Sequence, residues 1–83
     1  MNEKRKIHEL KTWIPYFDAV LCGAKTFEIR KNDRDFQVND LLDLHEYDSV
    51  LKKYTGRCLI RRVTYITNFE QPDGQIVMGL GPC

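Results

Sequence analysis

No two cysteines stand close enough to make a metal clip or a short disulfide loop: Cys22, Cys58 and Cys83 are an odd number, widely spaced. That excludes a disulfide framework and a C-x-x-C site. It points to a reducing cytoplasm, with Cys22 and Cys58 as small core fillers. His8 and His45 have neither metal-ligand spacing to the cysteines nor a serine and acid placed to make a triad, so no metal and no cofactor are expected. Long apolar runs are lacking, so nothing is expected to span a membrane. The start, Met1-Asn2-Glu3-Lys4-Arg5-Lys6, is not followed by an apolar stretch, and no signal peptide is expected. Excess charge of one sign is lacking too. Thirteen Lys and Arg face twelve Asp and Glu, a net +1, which excludes both a polycation and an acidic disordered tail. There are no repeats and no low-complexity stretches. The 83 residues, 42% of them apolar, make one domain over 1–83 with its core at about 7–80 and no room for a second. A deep chamber between domains is excluded, and any site must be a surface cleft.

What the chain does have is alternation. Ile7 to Leu10 reads as a short strand. Pro15 suits a first helical turn. Ile14, Phe17, Val20 and Leu21 follow at helical spacing, and Gly23 stands where a left-handed residue ends a helix. One helix is expected over Pro15 to Cys22. Thr26 to Lys31 alternates again, with Phe27 and Ile29 on one face and Thr26, Glu28 and Arg30 on the other. Lys31 to Asp35 and Val38-Asn39-Asp40 read as turns, the second because asparagine tolerates positive φ. Leu41 to Asp48 is a strand, Tyr54-Thr55-Gly56 a turn, Arg57 to Thr67 a long strand, Asn68 to Gly74 a loop and Ile76 to Leu80 the last strand. The expected fold is mainly β (α+β). Five or six strands this short must curl to hide their apolar face, giving a small β-barrel with one flanking helix near the N-terminus.

Charge is segregated along the chain. Phe36 to Leu51 carries Asp40, Asp43, Glu46 and Asp48 with no Lys or Arg, and Lys52 to Arg62 carries Lys52, Lys53, Arg57, Arg61 and Arg62 with no acid. This is either two strands paired by complementary charge or a basic stripe that touches phosphate. The densest polar cluster is Gly23-x-Lys25-x-x-Glu28-x-Arg30. Glu28 and Arg30 share one strand face ~7 Å apart, and Lys25 sits near the negative end of the helix dipole. A cation, an anion and a second cation make either a surface salt-bridge ladder or a site for a polar ligand such as a nucleobase edge beside a phosphate.

That cluster resembles the G-x-K-x-x-E-x-R signature of ASCH domains, in the PUA-like superfamily. The longer string from Lys25 to Val38, K-T-F-E-I-R-K-N-D-R-D-F-Q-V, is similar to a small bacterial and phage branch of that family. His8-Glu9-Leu10-Lys11, Tyr16-Phe17, Tyr47-Asp48, Tyr54-Thr55-Gly56-Arg57 and Val63-Thr64-Tyr65-Ile66 match it too. The resemblance covers roughly Ile7 to Leu80. Asn39-Asp40 stands where the branch usually has Gly-Asp, and asparagine can adopt the same left-handed turn.

The resemblance implies a β-barrel with a helix beside it and a cleft lined by Gly23, Lys25, Glu28 and Arg30. It implies RNA binding, of a single strand or a nucleotide, as a regulatory, coactivator-like module. Trp13, Tyr47, Tyr54 and Tyr65 are the candidates for base stacking, each weighed against core packing. Arg57, Arg61, Arg62 and Tyr65 are secondary nucleic-acid contacts. Near-neutral charge argues for few phosphate contacts and salt-sensitive affinity. The alternative is a small amidohydrolase acting on an N4-acylated cytidine or related nucleoside, as some bacterial ASCH proteins are, with a lysine activating a threonine. Lys25 matches that lysine. The threonine's position holds Glu28, leaving Thr26 as the nearby hydroxyl and Glu70 in roughly the region of the later glutamate. Glu28 would then be a general base on water. A protein-interaction adaptor is a third class. Partners other than RNA or a nucleoside are not specified, and the chain reads as a monomer or weak dimer.

Overall fold

The computed structural model describes residues 5–83. Five strands and one helix follow in the order β1 (Ile7–Trp13), α1 (Ile14–Leu21), β2 (Phe27–Lys31), β3 (Leu41–Asp48), β4 (Lys53–Thr67) and β5 (Gln75–Gly81). They form one sheet ordered β1-β3-β4-β5-β2. β1 runs parallel to β3, and every other pairing is antiparallel. The sheet curls into a half-barrel, as its small apolar content requires. Its two edge strands then face each other across a seam. Arginines bridge that seam: Arg30 Nη2 donates to the Lys11 carbonyl (2.8 Å) and Arg34 Nη1 to the Glu9 carbonyl (2.7 Å). Edge carbonyls that no strand satisfies thus find partners.

The core fills the concave side. Leu10, Leu42, Leu44, Val63, Ile76 and Met78 come from the strands, Phe17 and Val20 from α1 and Phe36 from the β2–β3 loop. The helix begins one residue earlier than expected, directly from β1, with Pro15 in its first turn. Only Phe17 and Val20 of its apolar stripe are buried, and Leu21 is exposed. Gly23 ends the helix at φ +86°, and Asn39 makes its turn at φ +79°, so both left-handed expectations hold.

Two expectations are corrected. Cys22 and Cys58 are not core fillers: all three cysteines are free and exposed. Cys22 lies past the end of the helical stripe, and Cys58 lies on the strand face opposite to the core. Nor do Tyr54-Thr55-Gly56 turn the chain. The turn is Ser49 to Lys52, where Asp48 Oδ1 accepts from the Val50 and Leu51 amides and Lys52 takes φ +58°. Gly56, at φ +95°, lies inside β4. The register slips there between His45 and Tyr47 of the partner strand, a β-bulge.

Candidate functional site

A cleft of about 530 Å³ opens at the seam. β1 supplies Lys11, Thr12 and Trp13, α1 supplies Tyr16, the following loop Lys25, and β2 Phe27, Glu28, Ile29 and Arg30. The pleat of β2 is inverted relative to an ordinary amphipathic strand. Phe27 and Ile29 are exposed, while Glu28 is only 5% exposed. Glu28 pairs in register with the buried Met78 of β5, and Arg30 with Ile76. A carboxylate in that position is tolerated only with close cationic partners. Lys25 Nζ donates to Oε1 at 3.0 Å and Arg30 Nε to Oε2 at 2.7 Å. Lys25 Nζ also donates to the Phe27 carbonyl, so each cation is anchored to backbone as well as to Glu28.

The opposite wall is aromatic. Because β1 runs into α1 without a loop, Trp13 and Tyr16 emerge on the same side. Their rings lie 6.5 Å apart and 20° from parallel. Trp13 is 49% and Tyr16 53% exposed, which leaves ring face open to a ligand. Thr12 lies buried between these walls, its hydroxyl reaching only the Leu10 carbonyl at 3.4 Å.

Behind Thr12 stands its register partner Glu46. This carboxylate is also buried. It accepts from the Arg57 guanidinium through Nε (3.0 Å) and Nη2 (2.8 Å) and from the Thr55 hydroxyl. Arg57 and then Thr55 hold Glu46 below the usual carboxylate range, and the pairing pushes Arg57 further up. Arg57 Nη2 also reaches Asp18 of α1 at 2.9 Å. The bulge at Gly56 is what lets both Thr55 and Arg57 turn toward one acid. At the other end of β1, His8 Nε2 lies 2.9 Å from Asp40 Oδ2, and the Lys6 and Gln37 amides donate to the same carboxylate.

Lys25, Glu28 and Arg30 therefore converge. Gly23 and Thr26 do not line this cleft. They border a separate depression with Arg61. The basic run does not make one stripe. Leu42 faces Arg61 and Leu41 faces Arg62 across the β3–β4 ladder, which puts the two arginines on opposite faces. Arg57 is spent on Glu46 and Asp18. The reading of complementary charge between paired strands describes Glu46 and Arg57. Tyr65 is exposed, away from the cleft, and Glu70 is exposed in a turn. Tyr47 and Tyr54 pack edge-on against each other. Tyr16, Lys11 and Thr12 were not legible as cleft residues. Alternation marks a strand only as far as Leu10, whereas β1 runs on to Trp13 and straight into the helix that carries Tyr16, and only the seam shows that this junction faces β2.

The family described as "Domain of unknown function (DUF3850)" matches residues 7–80. The chain belongs to the DUF3850 family. This DUF3850 domain is also 46% identical, over 65 residues, to an "Uncharacterized 12.9 kDa protein in GpA 3'region" of Escherichia phage P2. That match takes in 78% of the chain but 58% of the phage protein. The domain thus spans under two thirds of its relative's length. In the DUF3850 domain, among the described residues, no helix is long and apolar enough to cross a membrane.

Proposed function

We propose that the cleft is an ASCH-like nucleic-acid site that takes one unstacked base and its neighbouring phosphate from single-stranded RNA, or a free nucleotide. The observation that carries this reading is the half-exposed, near-parallel Trp13–Tyr16 pair facing a fixed Lys25–Glu28–Arg30 cluster. A base gains about 1–3 kcal/mol by stacking on such a platform. Glu28 is committed to its two cations, so it positions them instead of reading the base. Lys25 and Arg30 keep further donors for phosphate or carbonyl oxygens, Lys11 adds charge at the rim, and the Thr12 hydroxyl can face a base edge. Three exposed free thiols suit a reducing compartment, in keeping with a cytoplasmic protein.

Trp13 is the chain's single tryptophan, so its fluorescence reports the site directly. Titration with a short mixed-sequence single-stranded RNA at low salt is expected to quench it. With Lys25 and Arg30 as the phosphate contacts, the log–log salt slope should be about −1.4. Lys25→Ala should weaken binding about tenfold with the fold intact by amide NMR. An unquenched Trp13, with amide shifts absent or confined to Arg61 and Arg62, would overturn the assignment.

One observation favours the amidohydrolase reading as a second choice. The cleft holds a weakly engaged hydroxyl, Thr12, near Lys25, although Thr26 lies outside it. Release of cytidine from N4-acetylcytidine, lost in Thr12→Val, is the outcome that reading requires.

A further inference from the structure

On the convex face, away from the core, parallel pairing of β1 with β3 sets Glu9 directly beside Asp43. His45 follows two residues later on the same face. One ligand atom from each of Glu9, Asp43 and His45 lies within 4.8 Å of the other two. These residues stand beside a depression of about 270 Å³ that Glu9, His45 and Tyr54 help to line. We propose that this trio binds a first-row divalent cation, a site separate from the cleft and independent of its function.

Three observations converge on it. First, the trio contains two buried polar atoms that nothing satisfies: Asp43 Oδ1 and His45 Nε2. Buried polar atoms are nearly always partnered, and an orphan calls for a missing ion or water. Second, His45 Nε2 lies 3.0 Å from Asp43 Oδ2 without hydrogen-bond geometry. About 3 Å is the separation of two adjacent ligands that each bond one octahedral ion at about 2.1 Å. Third, two carboxylates sit together with no Lys or Arg paired to either among the described residues. Their repulsion is relieved by a cation between them. Lys11, the nearest candidate by register, instead lays its ammonium 4.3 Å over the Tyr47 ring. The Tyr54 ring stands edge-on to His45 and restrains the imidazole.

The donor set is one imidazole nitrogen and carboxylate oxygens. It suits zinc or manganese rather than a soft thiophilic ion. Three protein ligands leave open positions for water or a further ligand. The chain's in-line spacing hides this site, because Glu9 is far from Asp43 along the sequence and meets it only through the parallel ladder.

The test uses the full, tag-free chain stripped with chelator and titrated with Mn²⁺, a hard ion with little affinity for the exposed thiols. Amide resonances of Glu9, Asp43 and His45 are expected to broaden first. Mn²⁺ calorimetry should give one site, weakened at least tenfold in Asp43→Asn. Glu9→Gln, at an exposed position that leaves folding intact, should weaken it several-fold. Broadening centred elsewhere, equal broadening in both variants, or none at millimolar Mn²⁺ would each overturn the proposal.

Discussion

Asp40 concentrates several structural duties in one side chain. It is buried and accepts from two backbone amides and from the His8 ring, which itself packs on Phe36. Burial alone raises its pKa, but the hydrogen bonds from His8, Gln37 and Lys6 outweigh it, and the carboxyl sits below its ordinary value of 3.8. A depressed carboxyl stabilises the fold fully above its unfolded pKa and loses that contribution as pH falls through the lower folded value. Asp40→Asn should therefore cost about 2 kcal/mol at neutral pH. The gap from wild type should close below pH 3.8. Urea denaturation at pH 7 and pH 3 checks this; an equal gap at both would show that charge is not what Asp40 contributes. At this scale the sequence was informative where backbone chemistry is local. Gly23 and Asn39 announce left-handed turns because few other residues tolerate positive φ. It was misleading at Cys22 and Cys58, whose type favours burial but whose strand and helix faces do not.

Among the elements, β4 departs most from a sequence reading. Gly56 carries a turn residue's signature, yet it serves as a bulge that keeps a 15-residue strand continuous while bending it. Glycine answers a demand for positive φ, whether a turn or a bulge makes it, so local sequence cannot separate the two. The long-range pairing with β3 decides. Gly56→Ala should cost about 1–2 kcal/mol for the left-handed backbone, lowering Tm by roughly 5–10 °C in a domain of this size. Thermal unfolding by circular dichroism checks it, and an unchanged Tm would show that the bulge relaxes into regular strand. In β2, by contrast, alternation correctly divides the faces. It does not say that the polar face is the buried one. That inversion needs Lys25 to come from a neighbouring loop and the carbonyl of Lys11 from a strand remote in sequence.

As a whole molecule, the domain rests on one small core under a curled sheet. Leu44 is fully buried at its centre. Leu44→Ala should remove about 3 kcal/mol, a large share of the roughly 5–10 kcal/mol a small domain commands. The urea midpoint should fall steeply with the slope unchanged. A change in slope would mean that the half-barrel opens rather than simply weakening.

By itself the sequence determined the class of fold, the helix and its glycine end, the two faces of β2 and the gathering of Lys25, Glu28 and Arg30. Each of these depends on spacing of a few residues, which pleat and helical pitch translate directly into geometry. Tertiary structure alone decided that Trp13 and Tyr16 wall the cleft, that Arg30 and Arg34 close the seam, that the basic run is split between two faces, and that Glu9 meets Asp43 and His45. Those depend on which strands become neighbours, and a parallel pairing between β1 and β3 joins residues more than thirty positions apart. No local pattern encodes that distance. Burial of the core on the concave side selects it.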